Sequence, residues 1–127
     1  PEGSVTALDL SKVYNNIASR RLKKYKNAAA LQGTIEAAPL SENSFDLVII
    51  HYVLHDIPRE ERIQKLNRMK VLLKEAGRII ISEPTAPSHG ISSEETSKLM
   101  MEAGFTPLSL NTRKKKFFAV YQKPRQP

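Results

Sequence analysis

Phe45-Asp46-Leu47-Val48-Ile49-Ile50-His51, followed at once by Tyr52-Val53-Leu54-His55-Asp56-Ile57-Pro58, is the stretch that decides the fold of this chain. Val48, Ile49 and Ile50 form an unbroken β-branched run with a charge before it and polar residues after it, which predicts a strand covered on both faces. Such a strand belongs in the middle of a sheet. In open α/β sheets ligands bind in the crevice at strand carboxyl ends, so His51 and Tyr52 mark where a site is expected.

Before that stretch, Ser4 to Asp9 is short, apolar and partly β-branched, ending in a carboxylate, and Ser11 opens a helical pattern. Tyr14, Ala18, Leu22 and Tyr25 recur at helical spacing and predict one buried stripe. Ala28 to Gly33 is a second short apolar run, and Thr34 to Ser44 is a loop rich in turn formers.

After it, Asp56 is placed as a helix cap, Pro58 suits the first turn, and Glu60 and Glu61 favour the dipole. Ile63, Leu66, Met69, Leu72 and Leu73 give the helix a core face, and Ala76-Gly77 is expected to end it. Arg78 to Glu83 reads as another buried strand with a carboxylate at its end, and Pro84 to Gly90 as a loop over the strand ends. Ser92 with Glu95 has capping-box spacing, and Leu99, Met100 and Ala103 line the helix it opens before Gly104 closes it. Phe105 to Leu110 and Lys116 to Tyr121 predict an antiparallel hairpin, followed by a tail from Pro124.

The order is β-α-β-β-α-β-α-β-β, which predicts an α/β fold: a mostly parallel sheet, helices on both faces, and a reversed strand in the C-terminal hairpin. Residues 1–123 are expected to form a single domain and 124–127 a tail. The 127 residues, 40% of them hydrophobic, suffice for one core. With no cysteine there is no disulfide, thiolate zinc site or cysteine nucleophile, and a reducing compartment fits. No apolar run approaches the roughly 20 residues of a membrane helix, so a cytoplasmic protein without a membrane span is expected.

The formal charge of +7 comes from 20 basic and 13 acidic residues. Two clusters carry much of it, Arg20-Arg21-Leu22-Lys23-Lys24-Tyr25-Lys26 and Arg113-Lys114-Lys115-Lys116. Such clusters can track a phosphate backbone. The first, however, fits the solvent face and last turns of a helix, and the second a hairpin turn placed away from the strand ends. A nucleic-acid partner is therefore not expected, and an uncharged or weakly polar small molecule fits better.

A carboxylate ending a strand that feeds a helix is where nucleotide-binding sheets grip ribose, because two oxygens match two vicinal hydroxyls. Asp9 occupies such a place, although an aspartate there serves equally well as a helix cap.

From Gly33 through Ile57, GTIEAAPLSENSFDLVIIHYVLHDI resembles the class I S-adenosylmethionine-dependent methyltransferases, especially the small-molecule branch related to the ubiquinone and menaquinone biosynthesis enzymes. That branch carries a stretch like G-D-A-x-x-L-P-F-x-x-x-S-F-D-x-V, with which Gly33, Glu36, Pro39, Ser44, Phe45, Asp46 and Val48 fall in register. Val5 to Ser11 resembles the family's second strand, Leu73 to Arg78 its L-K-P-G-G-R turn, and Ala103-Gly104-Phe105 its A-G-F turn into the final hairpin.

The resemblance implies a Rossmann-like fold, S-adenosylmethionine as cofactor, and methyl transfer to a small-molecule acceptor. It makes Asp9 the ribose carboxylate, places Leu10 against the adenine face, and gives Ile35 a backbone N–H for the adenine ring. Thr34 stands where the family usually has an aspartate for the adenine amino group, a departure that weakens adenine recognition. His51 would lie near the sulfonium and is the candidate general base, with Tyr52, Glu83 and His89 on the acceptor side and Asp46 structural. Glu83 could touch the acceptor or cap a loop. His55 is expected to pack or cap the Asp56–Pro58 turn. His51 and His55 have helical i, i+4 spacing but no third ligand is evident, so no metal site is expected.

The family's opening strand and its glycine-rich D-x-G-x-G-x-G loop have no counterpart here. Since that strand normally lies between the second strand and the Phe45 strand, a gap in the sheet is expected, with unpaired backbone groups open to association between copies. The isolated chain is expected to be impaired, as a piece of a longer protein, a partner that fills the gap or re-pairing of the strands being the alternatives. A non-catalytic methyltransferase-like subunit is the main alternative, and an RNA methyltransferase or a nicotinamide-dependent dehydrogenase a lesser one; the terminal hairpin opposes the dehydrogenase.

Overall fold

Val5–Asp9 (β1) and Ala28–Gln32 (β2) pair as parallel strands, register Val5 with Ala28 and Asp9 with Gln32, in a computed structural model that describes residues 3–125. A parallel pair needs a crossover, and the helix Lys12–Leu22 (α1) supplies it. Ser11 caps it as expected, its hydroxyl accepting from the Tyr14 N–H at 3.4 Å. These elements belong to the first of two compact units, residues 1–40; the second covers 41–127.

The predicted stripe of α1 is not buried. Tyr14 is 65% exposed and Tyr25, beyond the helix end, 50% exposed. Of the predicted stripe Ala18 and Leu22 are half-buried, and Asn15 rather than Tyr14 joins them. One short helix on two strands, with alanines at residues 28–30, offers too little apolar surface to cover a ring as large as tyrosine.

In the second unit Phe45–His51 (β3) pairs in parallel with Leu73–Pro84 (β4). The strands Thr106–Thr112 (β5) and Lys116–Gln122 (β6) form the expected antiparallel hairpin, and β6 pairs antiparallel with β4, giving the order β3-β4-β6-β5. Among the described residues the predicted mostly parallel sheet is thus two sheets, with two parallel and two antiparallel pairings.

The helices Arg59–Leu72 (α2) and Ser93–Glu102 (α3) both pack on one face of this sheet. Leu66 from α2 and Met100 from α3 meet Ile50, Ile79, Ile81, Phe117 and Ala119 in a core whose largest members are fully buried. The other face is not covered within this unit. Leu47, Ile49 and Phe118 are 43%, 65% and 46% exposed on it.

Three expectations are corrected here. β3 is not central: it pairs with β4 alone among the described residues, and its apolar run is buried on one face only. The helices of this unit do not flank both faces. Helix α2 ends at Leu72 rather than at Ala76-Gly77, because Leu73 is already extended and pairs with Phe45. The turn residues instead bulge β4: Ala76 takes φ +62°, and a Cβ on Gly77 would lie 2.8 Å from the Lys74 carbonyl oxygen. At the other end of α2, Pro58 occupies the cap position, while Asp56 falls in a single 3-10 turn, Leu54–Asp56.

The basic hairpin turn is also misplaced by the sequence reading. β6 runs antiparallel to β4, so it begins where β4 ends: Lys116 pairs with Pro84, and the Thr85 N–H donates to the Lys115 carbonyl at 3.0 Å. The cations lie beside a strand carboxyl end, not away from it.

Candidate functional site

In the first unit, parallel pairing brings the carboxyl ends of β1 and β2 side by side, with the Gly33 N–H donating to the Asp9 carbonyl at 3.0 Å. Asp9, Leu10, Thr34 and Ile35 therefore gather at one end of one small sheet. Asp9 Oδ1 accepts from the Ser11 N–H at 2.8 Å, whereas Oδ2 has no hydrogen-bond partner among the described residues. Ser11 performs the capping, so Asp9 steadies the turn and retains a free oxygen. Leu10 beside it is 70% exposed. The Thr34 hydroxyl accepts from the Ala37 N–H at 3.1 Å, and Ile35 is half-buried in the same turn.

In the second unit, His51 ends β3 exposed, its imidazole stacked on Tyr52 with ring centroids 4.4 Å apart and planes 7° from parallel. Tyr52 holds φ +56°, an uncommon conformation for a non-glycine residue, pinned by its N–H donating to the Ser82 carbonyl at 2.8 Å. His89 is exposed in the loop after β4.

Glu83 neither caps the loop after β4 nor lines an open pocket wall: its contacts go to the turn at residues 53–55. It is fully buried, and Oε2 accepts from the Val53 and Leu54 N–H groups at 2.8 and 3.0 Å. Oε1 accepts from the His55 N–H at 3.0 Å and lies 2.7 Å from His55 Nδ1. The strand-end carboxylate thus closes the 3-10 turn that follows His51 and Tyr52.

Arg62, missed by the sequence reading, extends this support. Nearly buried, it donates from Nε to the Ile57 carbonyl, from one terminal nitrogen to the His55 carbonyl, and from the other to Glu95 Oε2 at 2.7 Å. The spacing of Arg62, Leu66, Met69 and Leu73 already puts it on the core face, and that was the available signal. Glu95 supplies half of the predicted capping box: its N–H donates to Ser92 Oγ at 3.0 Å, but its carboxylate goes to Arg62. Lys123 was missed too; its buried ammonium donates to the Leu73 carbonyl at 2.7 Å.

Cavities open among the described residues of this unit. One, about 310 Å³, lies between the loop after β4 and the helices, lined by Arg59, Arg62, Thr85, Pro87, Ser92 and Glu95 among others. Another, about 240 Å³, is lined by Ser82, Asn111, Arg113, Lys116, Phe117 and Phe118. No group of three metal-ligating side chains occurs among the described residues, and no helix is long and apolar enough to cross a membrane.

Residues 1–121 match the family model described as a methyltransferase domain. The chain belongs to the methyltransferase domain family. Demethylmenaquinone methyltransferase of Lactococcus lactis subsp. lactis (strain IL1403) is 36% identical over 90 residues, covering 69% of this chain and 35% of that protein. The enzyme of the same name from Staphylococcus aureus (strain JH9) is 27% identical over 88 residues, 69% of this chain and 36% of its own length. The matched part is thus about a third of these curated relatives.

Solved methyltransferase structures share the fold. A SAM dependent methyltransferase from Aquifex aeolicus superposes with TM-score 0.85 at 20% identity, covering 95% of this chain and 69% of its own. N-methyltransferase NodS from Bradyrhizobium japonicum WM9, in complex with S-adenosyl-l-homocysteine, gives TM-score 0.81 at 15% identity, covering 96% and 67%. The fold of this methyltransferase-family chain is therefore the Rossmann-like one, its C-terminal hairpin included.

Proposed function

We propose that this chain takes part in S-adenosylmethionine-dependent methyl transfer to a small-molecule acceptor. The observation that carries the proposal is Asp9, at the carboxyl end of β1 with Oδ2 unengaged, in a chain matched over residues 1–121 by a methyltransferase domain. A carboxylate oxygen free in this position suits vicinal ribose hydroxyls, and the exposed Leu10 suits the face of an adenine. The residues present fit the cofactor. When bound, it supplies a methyl group made electrophilic by its sulfonium.

The remaining roles belong to the chain's own side chains. Asp9 accepts from the ribose hydroxyls. Thr34, an uncharged residue whose hydroxyl already accepts one hydrogen bond, adds little for the adenine amino group. His51, exposed and oriented by its stack on Tyr52, is the proposed base for an acceptor that must lose a proton. Glu83 acts one step removed, holding the turn after Tyr52 through its three backbone N–H partners. A small acceptor is supported by the menaquinone-type relative, which shares 36% identity.

The outer edge of β3 and the free edge of β1 have no strand partner among the described residues. For that reason we propose that the 127-residue chain by itself binds the cofactor weakly. The test is calorimetric titration of S-adenosylhomocysteine into the full-length protein and its Asp9→Ala variant. A large loss of affinity in the variant supports the reading, and equal affinities refute it.

A further inference from the structure

Strand pairing places four residues in one row across the exposed face of the second unit's sheet. His51 pairs with Ser82, Ser82 with Phe118, and Phe118 with Asn111. Residues paired across neighbouring strands share a face, and three strand spacings of about 4.8 Å make the row about 14 Å long. The stacked His51–Tyr52 pair stands at one end. At the other is the 240 Å³ cavity, where Arg113 and Lys116 join Ser82, Asn111 and the half-exposed ring of Phe118.

The 310 and 240 Å³ cavities differ in what their charges already do. Arg62 is committed to Glu95 at 2.7 Å, and Arg59 lies 3.7 Å from the same carboxylate. Arg113 and Lys116 have no ion pair and no side-chain hydrogen bond among the described residues. Lys114 and Lys115 in the adjoining turn add positive field, with no carboxylate lining the cavity.

We propose that this corner binds the anionic group, phosphate or carboxylate, of a small planar ligand whose ring lies against Phe118. Arg113 offers a fork of N–H donors that matches either group, Lys116 a second charge, and Asn111 and Ser82 neutral donors. The cavity, about 240 Å³, has room for one such group. Naming that ligand as the methyl acceptor rests on the function proposed above; the binding itself does not. On that reading the acceptor is anionic, contrary to the uncharged or weakly polar one expected from sequence.

The test uses three probes of one shape, 1-naphthyl phosphate, 1-naphthoate and 1-naphthol, titrated into the 127-residue chain by NMR without cofactor. At least one of the two anions should bind at least tenfold more tightly than the neutral ring, and the tighter of them names the anionic group. Arg113→Gln with Lys116→Gln should abolish that preference, whereas Lys23→Gln with Lys24→Gln, an equal loss of charge elsewhere, should leave it. Phe118→Ala should weaken the ring probes severalfold while inorganic phosphate binds as before. Equal affinity for all three probes overturns the proposal, as does an equal effect of the two charge pairs. Binding of oligo(dT) where none of the small probes binds also overturns it, in favour of a nucleic-acid surface. Equal affinity of S-adenosylhomocysteine for the full-length protein and its Asp9→Ala variant would count against the transfer reading alone.

Discussion

Glu83 Oε1 lies 2.7 Å from His55 Nδ1, and the carboxylate is fully buried at the end of β4. One side chain there answers three successive backbone N–H groups and an imidazole, so the turn after His51 and Tyr52 is fixed by a residue 28 to 30 positions away in sequence. Glu83→Ala should lower the unfolding free energy by about 3 kcal/mol, the cost of leaving several buried donors unanswered. Glu83→Gln, which keeps one oxygen, should cost less. A denaturant midpoint unchanged by Glu83→Ala would contradict this role.

Arg62 and Arg59 flank the same carboxylate with different consequences. Arg62 is buried and 2.7 Å from Glu95, whereas Arg59 is 82% exposed at 3.7 Å. Arg62→Ala should destabilise by about 3 kcal/mol because it also abandons two carbonyls, and Arg59→Ala by about 0.5 kcal/mol or less. Comparable losses in chemical denaturation would show that burial is not the deciding variable.

Backbone geometry gives a pair of opposite expectations. A Cβ on Gly90 would collide with the Pro84 carbonyl, so Gly90→Ala must move the loop and should cost about 2 kcal/mol. Ala76 holds φ +62°, where a Cβ is unfavourable, and Ala76→Gly should stabilise by about 1 kcal/mol. Thermal unfolding of both variants checks the signs.

The open edge of β3 predicts association. Leu47 and Ile49 are exposed beside unpaired backbone groups, so the 127-residue chain should self-associate at high concentration, and Ile49→Lys should suppress this. Light scattering that finds wild type and variant equally monomeric would rule the edge out as the cause.

Elements with a local signal were legible in the sequence: Ser11 and Ser92 as caps, Gly104 as a helix stop, and the hairpin from its two apolar runs. The run Val48-Ile49-Ile50 was read correctly as a strand and wrongly as one buried on both faces, since local pattern does not reveal which neighbours are present. Topology put Asp9 and His51 at strand ends, and their proposed roles came from the family resemblance. The commitment of Glu83 to the 53–55 turn, the buried Arg62, and the placement of Arg113 and Lys116 beside Ser82 all depend on contacts distant in sequence.

The central claim is that Asp9 grips the ribose of S-adenosylmethionine, and calorimetry on the full-length protein tests it most directly. Loss of two charge-assisted hydrogen bonds predicts that Asp9→Ala weakens S-adenosylhomocysteine binding by about 2 kcal/mol or more, while Ser11→Ala, which removes only the helix cap, leaves it within about threefold. Unchanged affinity in Asp9→Ala would contradict the account.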